Sequence, residues 1–252
     1  MKIEFRNISK SFNRGSTEKI KALDAVNLLI PPSQFLVVIG PNGSGKSTLL
    51  NILSGSAVPD AGSLWIDGKD MTGQKEFVMN KMVARVFQNP LSGTAPGLSI
   101  LENFRLASLR TKSKLFKIGI NNQFMEFVRE KLSVLNLGLE NKLDQPMGTL
   151  SGGQRQALTI LMATMDKAGI LLLDEPSAAL DPRTSADIMN TADKIIKEYK
   201  LTAILVTHSL KDAMQYGDRL ICMGEGRIVR DIRSSEEKMK LQVADLFSWF
   251  NT

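Results

Sequence analysis

Gly40, Pro41, Asn42, Gly43, Ser44, Gly45, Lys46 and Ser47 follow the spacing G-x-x-x-x-G-K-[ST]. They separate an apolar run of strand length, residues 35–39, from residues 46–53, which read as a helix. Glycines let successive backbone N–H groups turn inward around phosphate oxygens, and a helix N-terminus sets the positive end of its dipole at the same point. The segment therefore reads as a phosphate-binding loop, and the chemistry it suits is that of ATP with Mg²⁺. The Lys46 ammonium is expected on the β- and γ-phosphates, the Ser47 hydroxyl on Mg²⁺, and Thr48 on a phosphate oxygen. Asp174 and Glu175 close a second apolar run, residues 170–173. Asp174 reads as a Mg²⁺ ligand acting through water. Glu175, pointing the other way along an extended segment, reads as the general base that polarises an attacking water. Either acid alone reads equally as a solvated strand end or a helix cap. Beside a phosphate loop, the pair points to nucleoside triphosphate hydrolysis.

The elements that must position these groups follow from the apolar patterning. Residues 2–8 and 22–30 read as strands, with Pro31, Pro32 and Ser33 as the turn after them. Further strands are expected at 63–66 and 82–87, and residues 88–150 turn helical, with Phe124, Phe127, Val128, Leu132 and Leu135 on one face. From residue 151 onward the order is helix to about 167, strand 170–173, helix 184–199, strand 203–206 and helix 209–216. Such alternation predicts an α/β fold with parallel strands and crossover helices. Strands at 219–223 and 227–230 flank a hairpin turn. A closing helix, 236–250, carries Met239, Val243, Leu246, Phe247 and Phe250 as a packing stripe.

Leu150, Ser151, Gly152, Gly153 and Gln154 spell LSGGQ at the start of a helix, and this resembles the signature of the ABC ATPases. The resemblance runs from residue 2 to about 233. It implies a P-loop NTPase core with a mostly parallel sheet, an N-terminal antiparallel β subdomain and a helical signature subdomain. The corresponding boundaries are a RecA-like core at 1–87 and 156–233, a helical subdomain at 88–155 and a C-terminal helix at 234–252. A Gly-rich backbone and a hydroxyl at a helix N-terminus suit a γ-phosphate, so Ser151 to Gln154 form a second anion site. In the family, two copies meet head to tail and each nucleotide lies between one copy's loop and the other's signature. The resemblance assigns further roles. Gln88 looks like the glutamine that reaches Mg²⁺ or the attacking water. Asp181, in the segment from Ser177 through Ala178, Ala179 and Leu180, looks like the D-loop residue that contacts the opposite copy. His208, the single histidine, looks like the switch that touches the γ-phosphate. Phe12 resembles the aromatic that stacks on adenine, or is an ordinary core or surface phenylalanine.

A chain of 252 residues, 43% hydrophobic and 23% charged, suits a globular domain, and its apolar runs are far shorter than the roughly 20 residues that cross a bilayer. No export signal is read at its start, so the chain is expected to stay in the cytosol, and the resemblance implies a peripheral position at the cytoplasmic face of the cell membrane. The net charge of +6 suits nucleic acid, an anionic membrane or a phosphate ligand. Basic residues are scattered, the densest group being 110–117, which reads as a solvated face or a membrane-proximal patch. Nucleic-acid machines of this family carry long coiled coils, zinc cysteines or two cassettes, and none is read here, so no nucleic-acid partner is expected. Cys222 reads as a buried apolar thiol.

The resemblance implies a transmembrane permease as partner, with Leu91, Leu98, Ile100, Leu101 and Phe104 at the docking region. Residues 144–149 do not resemble the loop of exporters with fused membrane domains. Residues 88–104 resemble a group of bacterial import ATPases that work with a permease and a lipoprotein-type substrate-binding protein, with aromatic amino acids as the suggested cargo. The alternatives are a soluble ABC ATPase of iron-sulfur assembly and the ATPase of an exporter.

Overall fold

The strands buried on both faces gather in one sheet, which an exposed strand joins at one edge, and a second sheet is buried on one face. The computed structural model describes residues 1–14, 18–110, 119–165, 168–178 and 180–249. The chain opens with β1 (Ile3–Arg14), β2 (Glu18–Ile30), β3 (Phe35–Ile39) and α1 (Lys46–Ser54). Then come β4 (Ala61–Ile66), β5 (Lys69–Asp70), α2 (Glu76–Met79) and β6 (Val83–Val86). The middle holds α3 (Ile100–Ala107), α4 (Asn122–Ser133) and α5 (Gly152–Ala163). The last part alternates β7 (Ile170–Asp174), α6 (Pro182–Glu198), β8 (Thr202–Val206) and α7 (Leu210–Gln215). It closes with β9 (Arg219–Gly224), β10 (Arg227–Ile232), α8 (Ser235–Met239) and α9 (Val243–Trp249).

One sheet has the order β2-β1-β4-β5 and is antiparallel throughout. The other has the order β10-β9-β3-β8-β7-β6, parallel from β9 to β6, with β10 antiparallel at one edge. This is the expected α/β architecture. Alternate residues of β3 explain why that strand reads as an unbroken apolar run: Leu36 and Val38 pack with α1 and the antiparallel sheet, whereas Phe35, Val37 and Ile39 pack with the helices of the opposite face. Cys222, on β9 opposite Ile39, is fully buried and unpaired.

Three differences from the sequence reading have local causes. Strands β1 and β2 run longer than their alternation suggested, because Asn7 and Ala25 take positive φ at irregularities that break the alternation without ending the pairing. Among the described residues of 88–150, only α3, α4 and three short 3₁₀ turns are helical, less than expected. Ile100, Leu101 and Phe104 lie in the core, leaving only Leu91 and Leu98 of the apolar docking group exposed. The closing helix is two helices. The Asp245 carboxylate takes the Gln242 amide at 2.7 Å and starts a new helix, so Leu246 packs inward while Met239, Val243 and Phe247 face solvent. Phe250, Ala179 and residues 111–117 of the basic group lie outside the described residues. Among the described residues no helix is long and apolar enough to cross a membrane.

Candidate functional site

Parallel strands bring their C-terminal ends to one edge of the sheet, and ligands of open α/β sheets bind outside that edge. In register, Val38 and Asp174 both lie opposite Val206, and Val86 lies opposite Leu173. The residues that follow these strands, Gly40, Glu175, His208 and Gln88, therefore emerge together.

Gly45 precedes α1 in the left-handed region at φ 100, where a Cβ would lie 2.3 Å from the Ala22 carbonyl oxygen. Only glycine passes that point. No side chain caps α1, so the first-turn amides, those of Lys46, Ser47 and Thr48 among them, have no capping acceptor. Lys46 is buried, and its ammonium donates to the carbonyls of Gly40 at 2.7 Å and Pro41 at 2.8 Å, and more distantly to Ser44 Oγ at 3.5 Å. Burial lowers the Lys46 pKa, and the carboxylates of Glu175 and Asp174 oppose that shift. A buried ammonium held over a turn with open amides fits a polyphosphate. Hydroxyl and carboxylate oxygens at Ser47 and Asp174 fit a hard cation such as Mg²⁺.

Glu175 does not continue the strand as expected. It turns off β7 with φ 48, its amide donating to the Val206 carbonyl at 2.9 Å. A left-handed glutamate costs of order 1–3 kcal/mol and persists only where its surroundings hold it. His208 is part of that hold: its Nε2 lies 2.6 Å from Glu175 Oε1. Asp174 Oδ2 accepts from Arg85 Nη2 at 2.6 Å. Phe12 is an exposed ring, so the core reading is excluded, and Lys10 Nζ lies 5.5 Å from its centroid. Gln88 is exposed at the start of the loop after β6.

The signature segment opens α5. Ser151 caps α5 through a reciprocal box with Gln154, and Asp181 caps α6 by accepting from the amides of Arg183 at 3.2 Å and Thr184 at 3.0 Å. Hydrogen bonds to Thr184 lower the Asp181 pKa. Gly152 packs near Leu180, and a Cβ on Gly153 would lie 2.1 Å from Thr184 Cγ2. The two helix starts thus abut. Among the described residues no hydrogen bond joins residues 40–48 to residues 151–154.

Two contributors escaped the sequence reading. Gln156, fully buried on α5, donates Nε2 to the Phe87 carbonyl at 3.1 Å, one residue before Gln88. Its signal was an amide among the apolar residues Ala157, Leu158 and Ile160. Arg85 was visible as a charge inside the strand Val83–Val86, which burial obliges to find a partner.

A profile of the ABC transporter family matches residues 23–178, more than half of the chain. A tyrosine transport ATP-binding protein from Clostridioides difficile is 38% identical over 252 residues, covering 98% of each chain. An energy-coupling factor transporter ATP-binding protein from Acetivibrio thermocellus is 32% identical over 228 residues, covering 90% of this chain and 78% of its own. Among solved structures, a dimeric post-hydrolysis state of an ATP-binding cassette bound to ADP and Pi superposes with a TM-score of 0.78 at 30% identity, covering 92% of this chain and 98% of that one. With a phosphate loop, paired acids and LSGGQ in one fold, and with these relatives along its length, the chain belongs to the ABC transporter family as an ATP-binding, ATP-hydrolysing subunit.

Proposed function

We propose that this ATPase drives import of a small solute, an amino acid of the tyrosine class, through a separate permease. What supports the cargo is the 38% identity, along nearly the whole chain, to a relative named for tyrosine transport. What supports the chemistry is one observation: Lys46, Asp174, Glu175 and His208 converge at one sheet edge, with Glu175 and His208 at 2.6 Å. Bound nucleotide would supply the phosphoanhydride to be hydrolysed, and Mg²⁺ would supply charge neutralisation for its phosphates.

In this reading Gly40 to Thr48 cradle the phosphates, and Ser47, Asp174 and Gln88 hold the cation. Phe12 offers its exposed ring to adenine. Glu175 takes the proton of the attacking water, and His208 fixes the carboxylate that takes it. Ser151, Gly152, Gly153, Gln154 and Asp181 serve the nucleotide of a second, head-to-tail copy. The helical segment 88–155 and the core 1–87 and 156–233 act as its two working parts, with 234–252 as an appended helical end. The permease docks at the groove of about 390 Å³ lined by Arg85, Gly93, Asn103 and Leu106, near exposed Leu91 and Leu98. In this reading the chain is bound peripherally at the cytoplasmic face of the membrane, with a substrate-binding protein reached through the permease.

The test is purification from native membranes followed by reconstitution of whatever permease comes with the chain into vesicles. ATP-dependent accumulation of labelled tyrosine is expected, with Leu91→Asp lowering uptake more than ATPase activity. Uptake of other solutes only would sink the cargo. Recovery with soluble scaffold proteins and no permease would favour the iron-sulfur alternative, and efflux the exporter.

A further inference from the structure

Arg85 sits where the three proposed metal-holding elements meet. On β6 it lies opposite Leu172 of β7, so its side chain shares the face of Leu172 and of Asp174, the next residue of that parity. The guanidinium reaches diagonally to Asp174 Oδ2 at 2.6 Å through Nη2 and to Asn51 Oδ1 at 2.7 Å through Nη1. Asn51 follows Ser47 by one turn of α1 and shares its helix face. The guanidinium also stacks on Phe87, 5.0 Å from the ring centroid, and Phe87 immediately precedes Gln88. One side chain thus ties the helix that carries Ser47, the strand that carries Asp174 and the residue before Gln88. Its flanks are shielded, with the Arg85 side chain 13% and the Asp174 side chain 17% exposed.

We propose that Arg85 is the positioning residue of the cation site, a planar clamp that sets the gap between Ser47 and Asp174 and holds the Asp174 carboxylate toward it. This rests on Asp174 being a metal ligand. Arg suits the task because its rigid fork serves two acceptors at once, which a lysine ammonium cannot do with fixed geometry. Outer partners of metal ligands commonly carry about 10–100-fold of metal affinity.

The experiment is calorimetric titration of ATP into the full chain, once with EDTA and once with excess MgCl₂, the ratio of affinities being the Mg²⁺-dependent gain. Arg85→Met should cut that gain about tenfold while leaving the EDTA affinity within about twofold. Arg85→Lys should restore only part of it, and Arg85→Met should add nothing in an Asp174→Asn background. An unchanged gain overturns the proposal, as does a larger one, which would make Arg85 a competitor of the cation. Equal losses with and without Mg²⁺ overturn it too, by reducing Arg85 to a structural role. If Asp174→Asn itself keeps the gain, the ligand reading falls. If Asp174→Asn loses it and Arg85→Met does not, only the Arg85 proposal falls. Should Arg85→Met fail to fold, Asn51→Ala detaches the clamp from α1 and leaves the ion pair: a reduced gain supports the clamp, and an unchanged one overturns it.

Discussion

At the scale of single residues, the site is a set of strained or buried groups that hold one another. Glu175 keeps an unfavourable left-handed backbone and gives its carboxylate to His208. Glu175→Gln preserves shape but cannot take a proton, so turnover should fall by about 10²–10⁴-fold with ATP affinity within about threefold. His208→Ala should lose most turnover and little stability, because its side chain is 43% exposed. In the Glu175→Gln background it should add little, since groups acting as a unit are not additive. Steady-state ATPase assays, calorimetry and melting curves on the variants and the double variant check this. A large fall in melting temperature for His208→Ala would make it a packing residue. The residues that gather here were legible because each sits just beyond an apolar run, where a strand must end. Arg85 and Gln156 were not read because their partners, Asp174 and the Phe87 carbonyl, are 89 and 69 residues away in the chain. Only pairing between distant strands and helices brings them within reach.

At the scale of elements, buried strands were easy to find and surface elements were not. Residues 170–173 and 203–206, like residues 35–39, are apolar and buried along their whole length, as strands packed on both faces are. The closing stripe misled because side chains three and four apart share a helix face only while the helix is unbroken, and a capping carboxylate at Asp245 breaks it. The start of α5 was read for its chemistry and carries packing as well. Gly153 lies under Thr184, so Gly153→Ala should destabilise by about 1–3 kcal/mol, the cost of overpacking, less what alanine's helix propensity returns. Thr184→Ser removes the methyl in the way and should recover most of the loss. Denaturant unfolding of the single and double variants measures the coupling. Equal stability of Gly153→Ala and the parent would show that the two helix starts part freely.

At the scale of the whole molecule, no hydrogen bond among the described residues joins the phosphate loop to the signature, and two of the cassettes it superposes on are dimers. A two-fold pair in which each copy completes the other's site reconciles the two facts. Glu175→Gln with ATP should therefore run as a dimer and with ADP as a monomer, and Ser151→Arg should abolish the dimer. Size exclusion with light scattering at tens of micromolar, roughly the weak-association range, decides it. A Glu175→Gln protein that stays monomeric, both free and bound to its permease, would sink the arrangement.

Cys222 gives the same molecule a built-in clock. It is the only thiol of the chain, fully buried opposite Ile39, one residue before the phosphate loop begins, and burial raises its pKa. A disulfide reagent can reach it only when the core packed around β9 opens, so the rate of colour release counts openings of the loop's foundation. Nucleotide that binds only the closed form must slow that count, by about a hundredfold at a hundred times its Kd. Lys46→Ala should tick at one pace with or without ATP. A parent chain whose thiol reacts at the speed of a free cysteine, indifferent to nucleotide, would mean that the sheet edge beneath the loop is never truly shut.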